Sequence, residues 1–462
     1  MNKQHSNDLT SGSVLKHLIT FSIPLLLGNL LQALYNTVDS IWVGRFIGAK
    51  ALGAVSVSFP IIMILVSLVL GITMATTVLV SQYAGAKNQQ MISKTINNSL
   101  LLLGGGAIIV TLVGLAFSEK ILILMNTPKD ILDYATDYLN IFFIGLIFMF
   151  GYNVISSILR GLGDSKTPLK FLIISTVTNL ILDPIFILGI GPFPQMGIQG
   201  AALATMLSQS LSFFLALRHL NKTNHVISFK LKDLKYDAEL TAKIFKIGLP
   251  SGIQQIVVSL GMVVMTGIIN TFGSETVAAF GAASRLDQFA FMPAMSLGLA
   301  VSTLAGQSIG AGKNDRLKEV YKWGSIAAIL VTGVTTIFVM AAPTFVLKLF
   351  TTDIQVLETG SRYLRIVGIS YVPFALSFVI NGMLRGAGDT VSTMIFSIAS
   401  LWLIRVPLAK FLSSYDSLGS NGIWIAMAVS SILSLVMSQV YYSTGRWKNK
   451  SLIKKPALQE TA

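Results

Sequence analysis

A carboxylate inside a long apolar stretch costs roughly 2.5–3.5 kcal/mol on insertion scales, so it persists mainly where it faces a cavity or has a task. Two acids of this chain stand in that position. Asp39 follows Gln32, Tyr35 and Asn36 by seven, four and three residues, so all four share one helical face. Asp183 follows Asn179 by one turn and precedes Pro184. Thr205 and Asn153, in neighbouring apolar runs, add oxygen donors. Such a set suits a proton or a sodium ion. A carboxylate removed from water holds a proton more readily. Two carboxylates with amide and hydroxyl oxygens can also replace the hydration shell of a hard cation. A plainer reading stays open for Asp39, which would then cap a helix at the outer interface.

The second half of the chain lacks equivalents. Asp183-Pro184 aligns with Val406-Pro407, and Asp39 with Met265. The acidic candidate there is Asp287, with Arg285 and Gln288 beside it. Arg285 and Asp287 do not share a helical face, and an inner site and a wet outer mouth are equally open. Other chemistries have no basis. Cysteine is absent, and the four histidines (His5, His17, His219, His225) fall at the edges of apolar runs. No P-loop, His-Glu-x-x-His or nucleophile elbow occurs. No enzymatic activity, resident cofactor or bound metal is expected, apart from Na⁺ as a coupling ion.

The elements that position these residues are apolar helices. The 462 residues are 53% hydrophobic and 12% charged, with mean hydropathy +0.71. A soluble domain carries about twice that share of charge. Composition therefore excludes a soluble enzyme and a disordered chain. Runs near 20 residues long, enough to cross the hydrocarbon core, begin at Leu18, Ala51, Thr95, Tyr138, Leu169 and Gly200. Six more cover 247–272, 276–310, 323–346, 366–384, 393–409 and 422–444. The prediction is an all-α polytopic membrane protein with twelve transmembrane helices. Its parts are a cytoplasmic N-terminal segment (1–17), a six-helix bundle (18–218), a cytoplasmic linker (219–243), a second six-helix bundle (244–445) and a cytoplasmic tail (446–462). Residues 1–17 show no signal-peptide pattern.

The net charge of +14 reads as membrane topology rather than nucleic-acid binding. With the N-terminus inside, 24 of the 34 Lys and Arg fall on the cytoplasmic side and 8 outside, while Arg285 and Arg405 lie within spans. This predicts a multi-pass protein of the cell membrane with both termini cytoplasmic. Eight prolines fall within spans, Pro24 and Pro184 on the helices of the two acids. Each can kink its helix.

The halves repeat at a spacing of about 225 residues. Leu159-Arg160-Gly161-Leu162-Gly163-Asp164 recurs as Leu384-Arg385-Gly386-Ala387-Gly388-Asp389. Gln82-x-x-Gly85-Ala recurs as Gln307-x-x-Gly310-Ala, Pro24 as Pro250, and Tyr138-Leu139 as Tyr363-Leu364. Six helices per repeat make the repeats parallel, giving two pseudo-symmetric bundles suited to alternating access. The Arg-Gly-x-Gly-Asp ends read as glycine-assisted helix stops.

At these residues the chain resembles the multidrug and toxic compound extrusion (MATE) family, over about residues 12–445. The resemblance rests on the twelve parallel-repeat spans, Pro24 followed by Tyr35-Asn-Thr-Val-Asp39, the Gln-x-x-Gly-Ala stretch, both Arg-Gly-x-Gly-Asp ends and Asn179-x-x-x-Asp183-Pro184. The acids in spans one and five are similar to the DinF-like branch. The resemblance implies export of small organic, often cationic and amphipathic compounds, coupled to H⁺ or Na⁺. Asp39 and Asp183 would be the coupling carboxylates, with Asn179 and Thr205 as supporting ligands. Tyr35, Asn36, Gln32, Asn153 and Tyr138 would line the substrate cavity. The NorM-like branch carries acids in spans seven and ten, where this chain has Val258 and Phe374. A lipid-linked precursor flippase and a non-transporting membrane scaffold remain the alternatives. The expected partners are the organic substrates and the bilayer, with no nucleic acid. The oligomeric state is open, and a monomer is compatible with the reading.

Overall fold

In the computed structural model, which describes residues 8–223 and 235–453, the apolar runs are long helices. The first six are α1 (Val14–Trp42), α2 (Ala49–Gly85), α3 (Gln89–Leu124), α4 (Lys129–Gly161), α5 (Lys166–Leu188) and α6 (Gly197–Thr223). Then follow α7 (Ala238–Asn270), α8 (Ser274–Gly310) and α9 (Asn314–Ala341). A short α10 (Pro343–Leu347) leads to α11 (Ile354–Gly368), α12 (Tyr371–Gly386), α13 (Thr390–Ile398), α14 (Val406–Ser413) and α15 (Asn421–Ser443). A π-helical stretch, Ala399–Arg405, joins α13 to α14.

Eleven helices among the described residues, with α13 to α14 counted as one, are long and apolar enough to cross a membrane. The twelfth crossing corrects the expectation of one helix over 366–384. It is the pair α11 and α12, bent by 44°. Pro373 lies just inside α12. It has no N–H to give the carbonyl four residues back, and its ring crowds that carbonyl. Pro24, Pro60, Pro184, Pro250 and Pro293 sit inside continuous helices, while Pro343 and Pro407, like Pro373, stand in the first turn of the helix that follows them. A first-turn proline costs no intrahelical bond. The first helix starts at Val14 rather than Leu18.

The chain forms two compact units. One takes Leu27–Leu249; the other takes Asp8–Leu26 with the chain from Pro250 onward. The expected bundle boundaries, 18–218 and 244–445, thus differ at the opening helix of each repeat, which changes unit beside its proline. Residues 1–7, 224–234 and 454–462 of the expected terminal segments and linker, with His5 and His225, lie outside the described residues.

Within each unit, glycine lets helices approach closely, as expected where lipid supplies little driving force. A Cβ on Gly161 of α4 would stand 2.8 Å from the Val80 Cβ and 2.9 Å from the Thr77 carbonyl of α2. Its repeat mate, Gly386 of α12, would meet the Ser302 carbonyl of α8 at 2.6 Å and the Ala305 Cβ at 2.8 Å. Thr77 and Ser302, like Val80 and Ala305, are also 225 residues apart. The two repeats therefore build the same helix crossing. Many buried hydroxyls bond the carbonyl one turn back on their own helix, which relieves the cost of a polar group at bilayer depth. Ser58 donates to the Ala54 carbonyl and Thr332 to the Ala328 carbonyl, four residues back.

The Arg-Gly-x-Gly-Asp ends are caps, as their sequence suggested. Gly163 and Gly388 take φ of +90° and +91°. The acid after each then accepts backbone N–H groups of the next helix. Asp164 takes those of Lys166 and Thr167, and Asp389 that of Ser392. Asp389 also accepts the Tyr441 hydroxyl at 2.6 Å.

Candidate functional site

The first unit gathers residues from α1, α4, α5 and α6. On α5, Asp183 is fully buried and Asn179 is 1% exposed. The Asn179 Nδ2 donates to Asp183 Oδ1 at 3.0 Å. On α1, Asp39 is half-buried and lies within electrostatic reach of Asp183. Tyr35, one turn before Asp39, is buried, and its hydroxyl shares a 2.9 Å hydrogen bond with the Thr205 hydroxyl of α6. Tyr138 of α4 interacts electrostatically with both carboxylates. Asp39 Oδ1 and Asp183 Oδ2 are buried with no hydrogen-bond partner among the described residues. Two acids within electrostatic reach of one another, each with a buried oxygen, cannot both stay charged and unpaired without cost, because like charges repel more strongly at low dielectric. A proton or a small cation between them removes that cost.

The remaining first-unit candidates sit further out. The Gln32 side-chain amide donates to Asn36 Oδ1 at 3.4 Å along the α1 face, and Asn36 is exposed. Asn153 turns back on its own helix and donates to the Met149 carbonyl at 2.8 Å. Its amide is therefore committed to the backbone.

A small cavity of about 20 Å³ lies between α4 and α6 beside this cluster. Tyr138 and Thr205 form its polar edge, with Phe142, Met149, Met206 and Gln209 as further lining. The buried Gln209 Oε1 has no partner among the described residues. Methionines and a phenylalanine around one free amide oxygen make an adaptable apolar lining with a single polar anchor. Gln209, Met206 and Met149 escaped sequence reasoning because nothing in their spacing separates them from lipid-facing residues. The one usable signal was Thr205, next to Met206 and one turn before Gln209.

The match to known proteins is extensive. The MatE family model matches residues 24–185 and 250–411, one copy in each repeat. The chain belongs to the MatE family. Among MatE relatives, the probable multidrug resistance protein YpnP of Bacillus subtilis is 37% identical over 96% of this chain and 98% of its own length. The multidrug export protein MepA of Staphylococcus aureus is 27% identical over 93% of this chain and 94% of its own. The fold resembles a solved outward-facing multidrug resistance MATE transporter, with TM-score 0.89 and 24% identity over 97% of this chain and 99% of that one. MatE proteins are membrane transporters, so the chain is a multi-pass member of a multidrug efflux transporter family.

The second MatE repeat holds its acid differently. Asp287 of α8 is 5% exposed and accepts the hydroxyls of Tyr363 on α11 and Tyr371 on α12. Arg285 and Gln288 are exposed and turned away from it. Of the three second-half candidates, the structure thus keeps only Asp287 in a buried cluster, and a wet outer mouth does not describe its surroundings. Arg405 is engaged with hydroxyls, its Nε donating to Ser430 at 2.8 Å and its Nη2 to Ser431 at 3.3 Å. Among the described residues no group of three or more His, Cys, Asp or Glu is placed to hold a metal.

Proposed function

We propose that this MatE protein is a secondary antiporter. It exports small organic, often cationic and amphipathic compounds by alternating access, in exchange for H⁺ or Na⁺. Asp39 and Asp183 bind the coupling ion. Asn179 orients Asp183, while Thr205 and the Tyr35 hydroxyl complete the oxygen set. One observation carries this reading: two carboxylates from separate helices lie within electrostatic reach of one another, each with a buried oxygen that has no partner among the described residues. The acids of the cluster take up the ion, and the apolar side chains of α4 and α6 beside it contact the apolar part of the substrate. Gln32 and Asn36 line the polar approach along α1. The relatives' names, multidrug resistance and multidrug export, support the same substrate class. The protein works in the cell membrane with both termini cytoplasmic, as its basic residues favour. The unit of Leu27–Leu249 and the unit of Asp8–Leu26 with the described chain from Pro250 onward act as its two transport lobes.

The test is efflux of a fluorescent organic cation from liposomes holding the purified protein. A pH gradient and a Na⁺ gradient are imposed separately. Transport driven by one of them establishes antiport and names the ion. Absence of transport under both overturns the reading, and translocation of a labelled lipid-linked precursor becomes the next assay.

A further inference from the structure

Asp287 plays no part in the site proposed above, yet its geometry is unusual. Its Oδ2 accepts the Tyr363 hydroxyl and its Oδ1 the Tyr371 hydroxyl. Tyr363 belongs to α11 and Tyr371 to α12, the two pieces of the span that bends by 44°. One carboxylate on a third helix therefore ties together both sides of a break.

The break itself is written in the sequence. Pro373 cannot donate to the Ile369 carbonyl, and Ser370 spends its own N–H and hydroxyl on the Val367 carbonyl. Two backbone bonds remain at the break, Ser370 N–H to Val367 and Phe374 N–H to Ser370, and side-chain ties add to what sets its angle. The first repeat shows the contrast. There α4 runs unbroken, with Phe148 at the place of Pro373 and Leu146 at the place of Tyr371.

The surroundings are apolar and aromatic. Trp424 meets the Tyr363 ring edge-on at 4.7 Å, Phe280 meets it at 5.8 Å, and Phe291 meets Tyr371 at 5.6 Å. The charged and titratable groups nearby are few. α11 brings Tyr363 and α12 brings Tyr371. The π-helical stretch brings Arg405, which acts on Tyr363 and is held by Ser430 and Ser431 of α15. On α8 itself, Arg285 is exposed and Glu275 stands in the first turn. The chain has no titratable residue from Pro250 to Asn270 of α7, from Trp323 to Ala341 of α9, or from Asn421 to Gln439 of α15. No cation pairs with Asp287 among the described residues.

The hydrogen-bond arithmetic is decisive. Two phenolic donors aimed at two oxygens are both satisfied by a carboxylate. A carboxylic acid carries a hydrogen on one oxygen and needs an acceptor there. On protonation the charge that strengthens both bonds is lost, and at the protonated oxygen the bond weakens or reverses, the acid O–H donating and the tyrosine oxygen accepting. We propose that Asp287 is a second proton-binding site whose occupancy sets the bend of the tenth span. As a carboxylate it holds α11 and α12 firmly through Tyr363 and Tyr371; on taking a proton from water it holds one of them more weakly, and the two segments become free to change their angle. This goes beyond the Asp39–Asp183 reading and does not depend on it.

The chain has no cysteine, so labels can be placed in an otherwise native protein. Glu358→Cys on α11 and Val391→Cys, just past α12, are exposed positions flanking the break. Glu358 loses only an exposed ion pair with Arg362. Spin labels at both positions in nanodiscs report the bend by pulsed electron resonance. The distance distribution is expected to gain a second population as the buffer is made acidic. Asp287→Asn should show that population at every pH, and Tyr371→Phe should favour it in alkaline buffer. Tyr371→Phe removes one hydroxyl and carries the test if the Asp287 variant fails to fold. The titration is repeated with Asp39→Asn and Asp183→Asn together. Persistence of the pH response assigns it to the second unit. Loss of the response in that background, or distances that ignore pH and the Tyr371 hydroxyl, overturns the proposal.

Discussion

Asn179 and Asp183 stand one turn apart on α5, and the amide of the first donates a 3.0 Å hydrogen bond to Oδ1 of the second. That bond occupies one carboxylate oxygen and fixes the orientation of the acid. The other oxygen, Oδ2, is buried and unpartnered among the described residues. Asp183 is thus held in place and still has a lone-pair site to offer.

Removing the amide should destabilise the protein. Asn179→Ala leaves a buried acceptor unpaired, a cost of about 1–3 kcal/mol. Asn179→Asp should cost more, because a second acid four residues away on one helix adds repulsion. Thermal unfolding in detergent measures both, and midpoints equal to wild type would sink the orienting role.

Neutralising either acid should stop ion-coupled export. Asp39→Asn and Asp183→Asn are expected to reach the membrane at wild-type levels, with gradient-driven efflux lowered about tenfold or more, ~1.4 kcal/mol or above. Efflux at the wild-type rate by both variants would remove them from the coupling step.

Helix contact through glycine makes a sharper structural prediction. A Cβ on Gly382 of α12 would come within 2.4 Å of the Gly298 carbonyl of α8. That atom is backbone and cannot swing aside, so Gly382→Ala must separate the two helices and lower the unfolding midpoint. Gly333 of α9 has no atom within 4 Å of the same added carbon. Gly333→Ala should be neutral or stabilise by up to about 1 kcal/mol through helix propensity. Equal behaviour of the two variants would contradict the crossing.

The two repeat-related caps should differ in weight. Asp164→Ala loses a helix cap, about 1 kcal/mol. Asp389→Ala loses a cap and also the Tyr441 hydroxyl bond, about another 1 kcal/mol. Tyr441→Phe isolates the second contribution. A smaller destabilisation for Asp389→Ala than for Asp164→Ala would show that the Tyr441 bond adds nothing.

Much of this protein was legible in its sequence, for a physical reason. Bilayer hydrocarbon demands about 20 apolar residues per crossing, so the crossings are written in composition alone. A parallel repeat follows from an even number of crossings between matched motifs. Asp39 and Asp183 were visible because charge in such a run is rare, and spacing placed Tyr35 and Asn179 on the faces of the acids. The meeting of those faces was not visible. Contact between α1, α4, α5 and α6 depends on side-chain packing that one-dimensional periodicity does not encode. Only the tertiary structure turned Asn153 onto its own backbone, opened the pocket at Met206 and Gln209, and separated buried Asp287 from exposed Arg285 and Gln288. It alone paired Asp287 with Tyr363 and Tyr371, residues 76 and 84 positions away. Local sequence marks where a polar group is costly; which distant group relieves that cost is decided when the helices pack.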